Sequence, residues 1–463
     1  MAATTSGPNR RQVLIGLAAV SFTRPAYAAP YNLVAAPTKA QLAPQGYGPT
    51  DVWGYNGQVP GPLLRGRQGE RMRVSVQNGL TEPTSVHWHG LRLENAMDGV
   101  PGLTQTAIEP DAVFEYDFRL PDAGTYWYHS HSRSYEQVAR GLHGPLIIDE
   151  VNPPEVDADE LLVLDDWRLV GEGAIADGFG AVHDKAHGGR IGNWVTVNGV
   201  PEWKRAFPRG ARVRLRLTNV ANGRIFQLRL QGMTASVVAF DGQPVAKPEP
   251  TDTVTLAPAQ RIDLIADITA DEAGEALVLS RERDGDFAIA SFPVEAGQSP
   301  SDALVLPLPV NQVPVPEPDQ IAAAPVHALL MEGGAMGQMR AARLEGEDLD
   351  MRTLASRGMV WAFNGVAGMP DTPFLEVQQG EVVRIALQNN TAWPHGMHLH
   401  GHHFLEARAG TFGPLARLRD TTLVAPNATQ EIAFIADNPG DWLLHCHMLE
   451  HADGGMMTWI RVV

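Results

Sequence analysis

One ten-residue phrase occurs three times in this chain. Gly69-Glu-Arg-Met-Arg-Val-Ser-Val-Gln-Asn78 returns as Gly210-Ala-Arg-Val-Arg-Leu-Arg-Leu-Thr-Asn219 and again as Gly380-Glu-Val-Val-Arg-Ile-Ala-Leu-Gln-Asn389. Self-similarity of this kind marks a repeated structural unit. Each copy alternates apolar and polar residues, the pattern of a half-buried strand. A second phrase follows each first one: Ala123-Gly124-Thr-Tyr-Trp-Tyr-His129 matches Pro439-Gly440-Asp-Trp-Leu-Leu-His445, and more faintly Ala273-Gly274-Glu-Ala-Leu-Val-Leu279. Proline-rich, acidic breaks at Asp149 to Glu160 and Gln298 to Pro325 separate the copies. A chain of 463 residues needs more than one core. Short, turn-bounded strands suggest β-sandwiches. The expected architecture is all-β: three consecutive Greek-key sandwich domains over residues 29–155, 156–300 and 326–463, with a Pro-rich linker at 301–325.

The repeats differ in their histidines. Nine residues after Asn78 stands His87-Trp88-His89-Gly90, and nine after Asn389 stands His398-Leu399-His400-Gly401. The middle copy has Leu228-Arg229-Leu230 there. His129-Ser130-His131 and His445-Cys446-His447 end the second phrase in copies one and three, where the middle copy has Leu279-Ser280-Arg281. A framework that survives without its histidines does not need them, so they serve something held between the first and third copies.

Residues i and i+2 of a strand face the same way, so each His-x-His pair aims two imidazoles in one direction. Imidazole suits Cu, Zn, Fe and Ni alike. The third copy narrows the choice. Cys446 faces away from His445 and His447; His451 and Met456 follow it, and His395 precedes the earlier pair, His398 and His400. Two His, a Cys thiolate and a weak Met ligand describe a blue-copper electron-transfer site. The cysteine then serves one metal site while its two neighbours serve another, a short covalent route for electrons. Ten of the sixteen His and the only Cys fall into this scheme; His143, His183, His187, His327, His402 and His403 are read as non-ligands.

Composition removes other classes. The net charge of −17 argues against a nucleic-acid partner, which needs a basic face. A single cysteine excludes an intramolecular disulfide framework. Arg10-Arg11, the apolar run Val13 to Val20 and the Ala26-Tyr27-Ala28 cleavage pattern read as a twin-arginine-type export signal over residues 1–28. The run is too short to span a bilayer. The expected location is periplasmic or secreted.

With these residues in view, the sequence resembles the three-domain multicopper oxidases, the group of laccases and bacterial cuprous oxidases. The likeness runs from about Gly46 to Val463. It rests on His87-Trp-His-Gly90, His129-Ser-His131, His395-Gly-Met-His-Leu-His-Gly401 and His445-Cys-His-Met-Leu-Glu-His451 with Met456, and on Asp98-Gly-Val-Pro-Gly102, Gly141-Leu-His-Gly-Pro145 and Ala436-Asp-Asn-Pro-Gly440. The resemblance implies cupredoxin-like domains and four copper ions. His395, Cys446, His451 and Met456 would hold the type 1 copper, and His87 and His398 the type 2 copper. His89, His129 and His447 would hold one type 3 copper, and His131, His400 and His445 the other. The middle domain would be a copper-free spacer. Asp98 matches an acidic residue that assists proton delivery in this family. Many bacterial relatives carry Glu directly after the His451 position; here it is Ala452, and the adjacent Asp453 starts from a different direction.

The resemblance implies one-electron oxidation of a small donor coupled to reduction of O2 to water. A phenol or aromatic amine is the leading donor. Cu(I) is the alternative, because Met331, Met336, Met339, Met351 and Met359 cluster in the third domain and thioethers bind Cu(I). A copper nitrite reductase would not need eight clustered His. A non-catalytic copper-binding scaffold would have shed ligands, and copies one and three have shed none. No membrane span is expected, and the expected state is a monomer.

Overall fold

The structure is a computed structural model describing residues 30–300, 303–413 and 416–463. The export signal expected over residues 1–28 lies outside the described residues. Six large sheets form three successive pairs. The first pair orders Thr50–Tyr55, Tyr31–Ala40, Arg71–Asn78 and Val113–Arg119 in one sheet, and Leu64–Arg67, His143–Asp149, Gly124–His129 and His87–His89 in the other. The second and third pairs have six and five strands on their main paths where the first has four and four. The fold is three cupredoxin-like β-sandwiches in a row. Among the described residues no helix is long and apolar enough to cross a membrane.

The repeated phrase occupies the same place in each unit. Arg71–Asn78, Arg212–Asn219 and Val382–Asn389 each run parallel to their unit's opening strand, Tyr31–Ala40, Ala158–Trp167 and Val326–Gly333 respectively. On the other side each pairs antiparallel with Val113–Arg119, Arg261–Ile268 or Thr429–Ile435. The terminal asparagine does the same work three times. The Oδ1 atoms of Asn78, Asn219 and Asn389 accept from the backbone N–H two residues on, at Leu80, Ala221 and Thr391 (2.9, 3.0 and 3.0 Å). Their Nδ2 groups donate to carbonyls such as those of Ile108, Leu256 and Trp393. A buried turn leaves backbone groups to satisfy, and a short amide side chain satisfies three at once.

The cores do not follow the repeats one to one. Units one and three share one continuous apolar cluster, from Leu33 and Trp88 to Trp361 and Trp442, while the middle unit has its own around Leu215, Phe226 and Phe292. The Pro-rich stretch packs against both early units: Asn311, 5% exposed, exchanges hydrogen bonds with the backbone of Ala123 (2.9 and 2.8 Å) and donates to Gln243 Oε1 (2.9 Å).

Candidate metal centre

Strand pairing brings the histidines together. His87 lies opposite His129 across one ladder, and His398 opposite His445 across another. Units one and three then meet face to face. His87 stacks on His400 with ring centres 3.8 Å apart, and His89 on His398 at 3.7 Å. His129 meets His447 at 5.1 Å, and His131 meets His445 at 5.4 Å. Three all-imidazole groups result, each with donor atoms within 4.8 Å of one another: His87, His89 and His398; His89, His129 and His447; and His131, His400 and His445. The middle unit contributes no imidazole to them.

The second layer fixes which nitrogen faces inward. A carbonyl can only accept, so a ring nitrogen bonded to one carries the proton and its partner carries the lone pair. His87 Nδ1 donates to the Asp98 carbonyl (2.8 Å) and His398 Nδ1 to that of Asp420 (2.9 Å). His129 and His445 Nδ1 donate to the carbonyls of Ser130 and Cys446, both at 3.0 Å. His400 Nδ1 donates to Asp98 Oδ2 (2.9 Å). His89 is reversed: its Nε2 donates to Asp420 Oδ1 (3.2 Å). Of the remaining nitrogens, His87 Nε2, His89 Nδ1, His131 Nε2, His398 Nε2 and His447 Nδ1 are buried without a hydrogen-bond partner. Orphaned buried nitrogens are costly, and cations held in the separate imidazole groups would satisfy those that point inward. His400 Nε2 and His445 Nε2 face each other at 3.2 Å, two lone pairs that also want a cation between them.

Burial and neighbouring imidazoles push these rings far from protonation. His89, His129, His400, His445 and His447 lie well below the ordinary value, chiefly from desolvation, and His131 is lowered to about 3. They are neutral near pH 7, the form in which imidazole binds a metal.

Cys446 points to the opposite side, as strand alternation requires. Its Sγ lies 3.7 Å from His395 Nδ1 and 3.7 Å from His451 Nδ1, and those nitrogens are 3.1 Å apart. His451 Nε2 donates to the His187 carbonyl (2.6 Å), so its Nδ1 holds the lone pair. His395 Nε2 donates to Thr391 Oγ1 (2.9 Å), whose own proton goes to Asn389 Oδ1 (2.7 Å). Met456 is fully buried nearby in sequence, its N–H bonded to the His451 carbonyl. Trp361 packs on both imidazoles, at 5.0 and 4.7 Å. Burial pushes the Cys446 thiol up to about 12, so a thiolate here needs a cation in place of its proton. The donor set fits a soft metal.

Some partners had no signal in the sequence. Asp420, Thr391 and Trp361 belong to no spacing motif. Glu450, beside His451, is fully buried, donated to by Asn222 Nδ2 (2.9 Å) and pushed up to about 7 by desolvation. Asp98 is 1% exposed; its Oδ1 lies 3.3 Å from His87 Nδ1 and has no hydrogen-bond partner. Asp453 forms an ion pair with Lys185 (2.5 Å). The methionine stretch scatters. Met331 sits in the shared core, and Met339, Met351 and Met359 pack around Leu344 and Leu354. Met336 is 77% exposed.

Comparison with known proteins agrees with this geometry. Three multicopper oxidase family models match residues 37–153, 159–280 and 345–463. Multicopper oxidase MmcO of Mycobacterium tuberculosis is 32% identical over 443 residues, covering 87% of this chain and 82% of that one. Laccase-1 of Botryotinia fuckeliana is 29% identical over 446 residues, covering 87% and 77%. The crystal structure of Lac15 from a marine microbial metagenome superposes with a TM-score of 0.76 at 42% identity, covering 94% of this chain and 100% of that one. Three matching domain models and full-length relatives make this chain a member of the multicopper oxidase family, copper-dependent oxidoreductases that use dioxygen.

Proposed function

We propose that this protein is an exported, laccase-like oxidase of phenols and aromatic amines that holds four copper ions. Copper supplies one-electron oxidation of the donor at a type 1 ion and four-electron reduction of dioxygen to water at a trinuclear cluster. His395, Cys446, His451 and Met456 hold the type 1 ion. His87 and His398 hold the type 2 ion. His89, His129 and His447 hold one type 3 ion, and His131, His400 and His445 the other. The domains run over 29–155, 156–300 and 326–463, with the linker at 301–325, and residues 1–28 direct export.

The observation that carries this reading is the position of Cys446. Its sulfur faces His395 and His451 while its two chain neighbours belong to the imidazole groups on the other side. A storage protein has no use for a covalent bridge between two sites. Phenolic donors are favoured over Cu(I) because four of the five clustered methionines pack against apolar neighbours. Oxygen uptake by the copper-loaded protein tests this: a phenolic donor should drive it faster than Cu(I) does. Faster uptake with Cu(I) would make cuprous oxidation the principal activity, and no uptake with either would leave a copper-binding scaffold.

Asp98 delivers protons to the oxygen site. Its carboxylate touches imidazoles of both units and keeps one oxygen open to carry a proton. Asp98→Asn is expected to slow oxygen-linked turnover by about 100-fold, the typical worth of a positioned acid. Reduction of the blue centre by donor under nitrogen should keep its rate. Unchanged turnover across pH would remove Asp98 from the mechanism.

A further inference from the structure

Arg261 begins a strand of the middle unit and is fully buried. All five of its side-chain N–H donors are used. Nε donates to the Thr125 carbonyl of unit one (3.1 Å). Nη1 donates to the Ala259 carbonyl (3.2 Å) and to Asp420 Oδ1 (2.9 Å). Nη2 donates to the Asp241 carbonyl (3.1 Å) and to Asp420 Oδ2 (2.6 Å). One side chain thus ties all three units together, and it grips a carboxylate of unit three with the two-pronged fork that only arginine offers.

Asp420 passes that grip on to the imidazoles. Its Oδ1 also accepts from Thr421 Oγ1 (2.7 Å) and from His89 Nε2 (3.2 Å) and lies 3.5 Å from His398 Nδ1, which donates to the Asp420 carbonyl (2.9 Å). Asp98 makes the mirror-image pair of contacts on the other flank, through its carbonyl to His87 and its carboxylate to His400. The two flanks differ in what stands behind the carboxylate. Among the described residues the ion pairs of Asp98 are to His87 and His400, whereas Asp420 is backed by Arg261. They differ also in the ring they hold: His400 turns Nδ1 to its aspartate, His89 turns Nε2.

The glycines that close the two His-x-His-Gly motifs record the same asymmetry. A side chain at Gly401, where φ is +66°, would run into the Trp442 indole. At Gly90, where φ is +84°, it would run into Arg261 Nη2 and Asp420 Oδ2. The first motif keeps its glycine to admit the fork.

We propose that Arg261 is a positioning residue of the trinuclear copper site, fixing the Asp420 carboxylate so that His89 presents Nδ1 and His398 presents Nε2 inward. The middle unit thereby sets the geometry of a centre to which it gives no ligand. The proposal rests on the copper assignment above. Without the fork, Asp420 is a buried charge short of its partner and rotates toward other donors, and the two imidazoles lose their orientation.

The test compares copper-loaded wild-type protein with Arg261→Met and Arg261→Lys by copper content per chain, blue absorbance and the type 2 electron paramagnetic resonance signal. Arg261→Met is expected to keep the full blue band, lose most of the type 2 signal and fall in copper content toward the type 1 ion alone. Arg261→Lys keeps the charge but not the fork, and is expected to show a shifted type 2 signal. A type 2 signal in Arg261→Lys identical to wild type overturns the proposal, as does full trinuclear copper in Arg261→Met. If Arg261→Met does not fold, the Lys variant decides alone. Wild-type protein without a type 2 signal would overturn the copper assignment itself, and this proposal with it; unchanged variants overturn the proposal only.

Discussion

Cys446→Ser is expected to remove the blue colour of the copper-loaded protein and reduce donor-driven oxygen uptake to background. His395 and His451 converge upon this sulfur, with both Nδ1 atoms 3.7 Å away. A serine oxygen is a hard, weakly acidic donor and gives no thiolate-to-copper transition. The loss should be selective. His445 and His447 face the other side of the strand, so the type 2 resonance signal should persist. The fold should survive too: a hydroxyl in a fully buried position costs about 1–3 kcal/mol, against a total of roughly 5–15 kcal/mol for a domain. Retained blue absorbance in Cys446→Ser would remove the cysteine from the electron-transfer centre.

The copper-free protein is expected to lose stability steeply between pH 7 and pH 5. Eleven buried histidines have folded values below their ordinary 6.5: His89, His129, His131, His395, His398, His400, His402, His403, His445, His447 and His451. His402, His403 and His451 fall to about 4. In the unfolded chain these rings take up protons below 6.5, while in the folded chain they stay neutral. The unfolded state therefore binds more protons across this window, and stability falls as the pH falls. Each such ring contributes at most about 1.4 kcal/mol per pH unit, and less near pH 6.5, where the unfolded ring is only half protonated. Five carboxyls oppose them: Glu450, raised to about 7, Asp166 and Asp241, raised to about 6, and Glu160 and Asp437, also raised by burial, hold protons better when folded. Eleven against five leaves the histidines dominant. Thermal unfolding of the copper-free protein at successive pH values checks this. The copper-loaded protein should hold its midpoint further into acid, because the metal occupies the nitrogens that protons would take. A copper-free midpoint that stays level from pH 7 to pH 5 would contradict the burial of these rings.

The candidate ligands were legible in the sequence because strand geometry is local. Two residues apart means one face, so His87-Trp88-His89 and His445-Cys446-His447 disclose their directions without any knowledge of the fold. The triplicate phrase disclosed the sandwiches for a similar reason, since alternation and turn residues are short-range signals. The groups that hold the ligands were not legible. His89 and Asp420 are 331 positions apart, and Arg261 and Asp420 are 159 apart; no spacing rule connects them. A carboxylate also looks the same in sequence whether it is free or gripped, and nothing in the sequence pairs Asp453 with Lys185. Methionine is ambiguous in the same way. The stretch from Met331 to Met359 suggests a path for soft cations, yet thioethers fill apolar gaps equally well, and most of these do.

The apolar core shared by the first and third units has a consequence for synthesis. His129 meets His447 across 318 positions, and Trp88 lies in the same cluster as Trp442. At about 5–20 residues per second on the ribosome, the first unit waits on the order of 15 to 60 seconds for the surface that completes it. During that wait its half of the metal cavity stands open and part of its core is bare. Nascent chains of this protein should therefore lean on chaperones longer than the size of any one unit would suggest, and acquire copper only after the last strand is made.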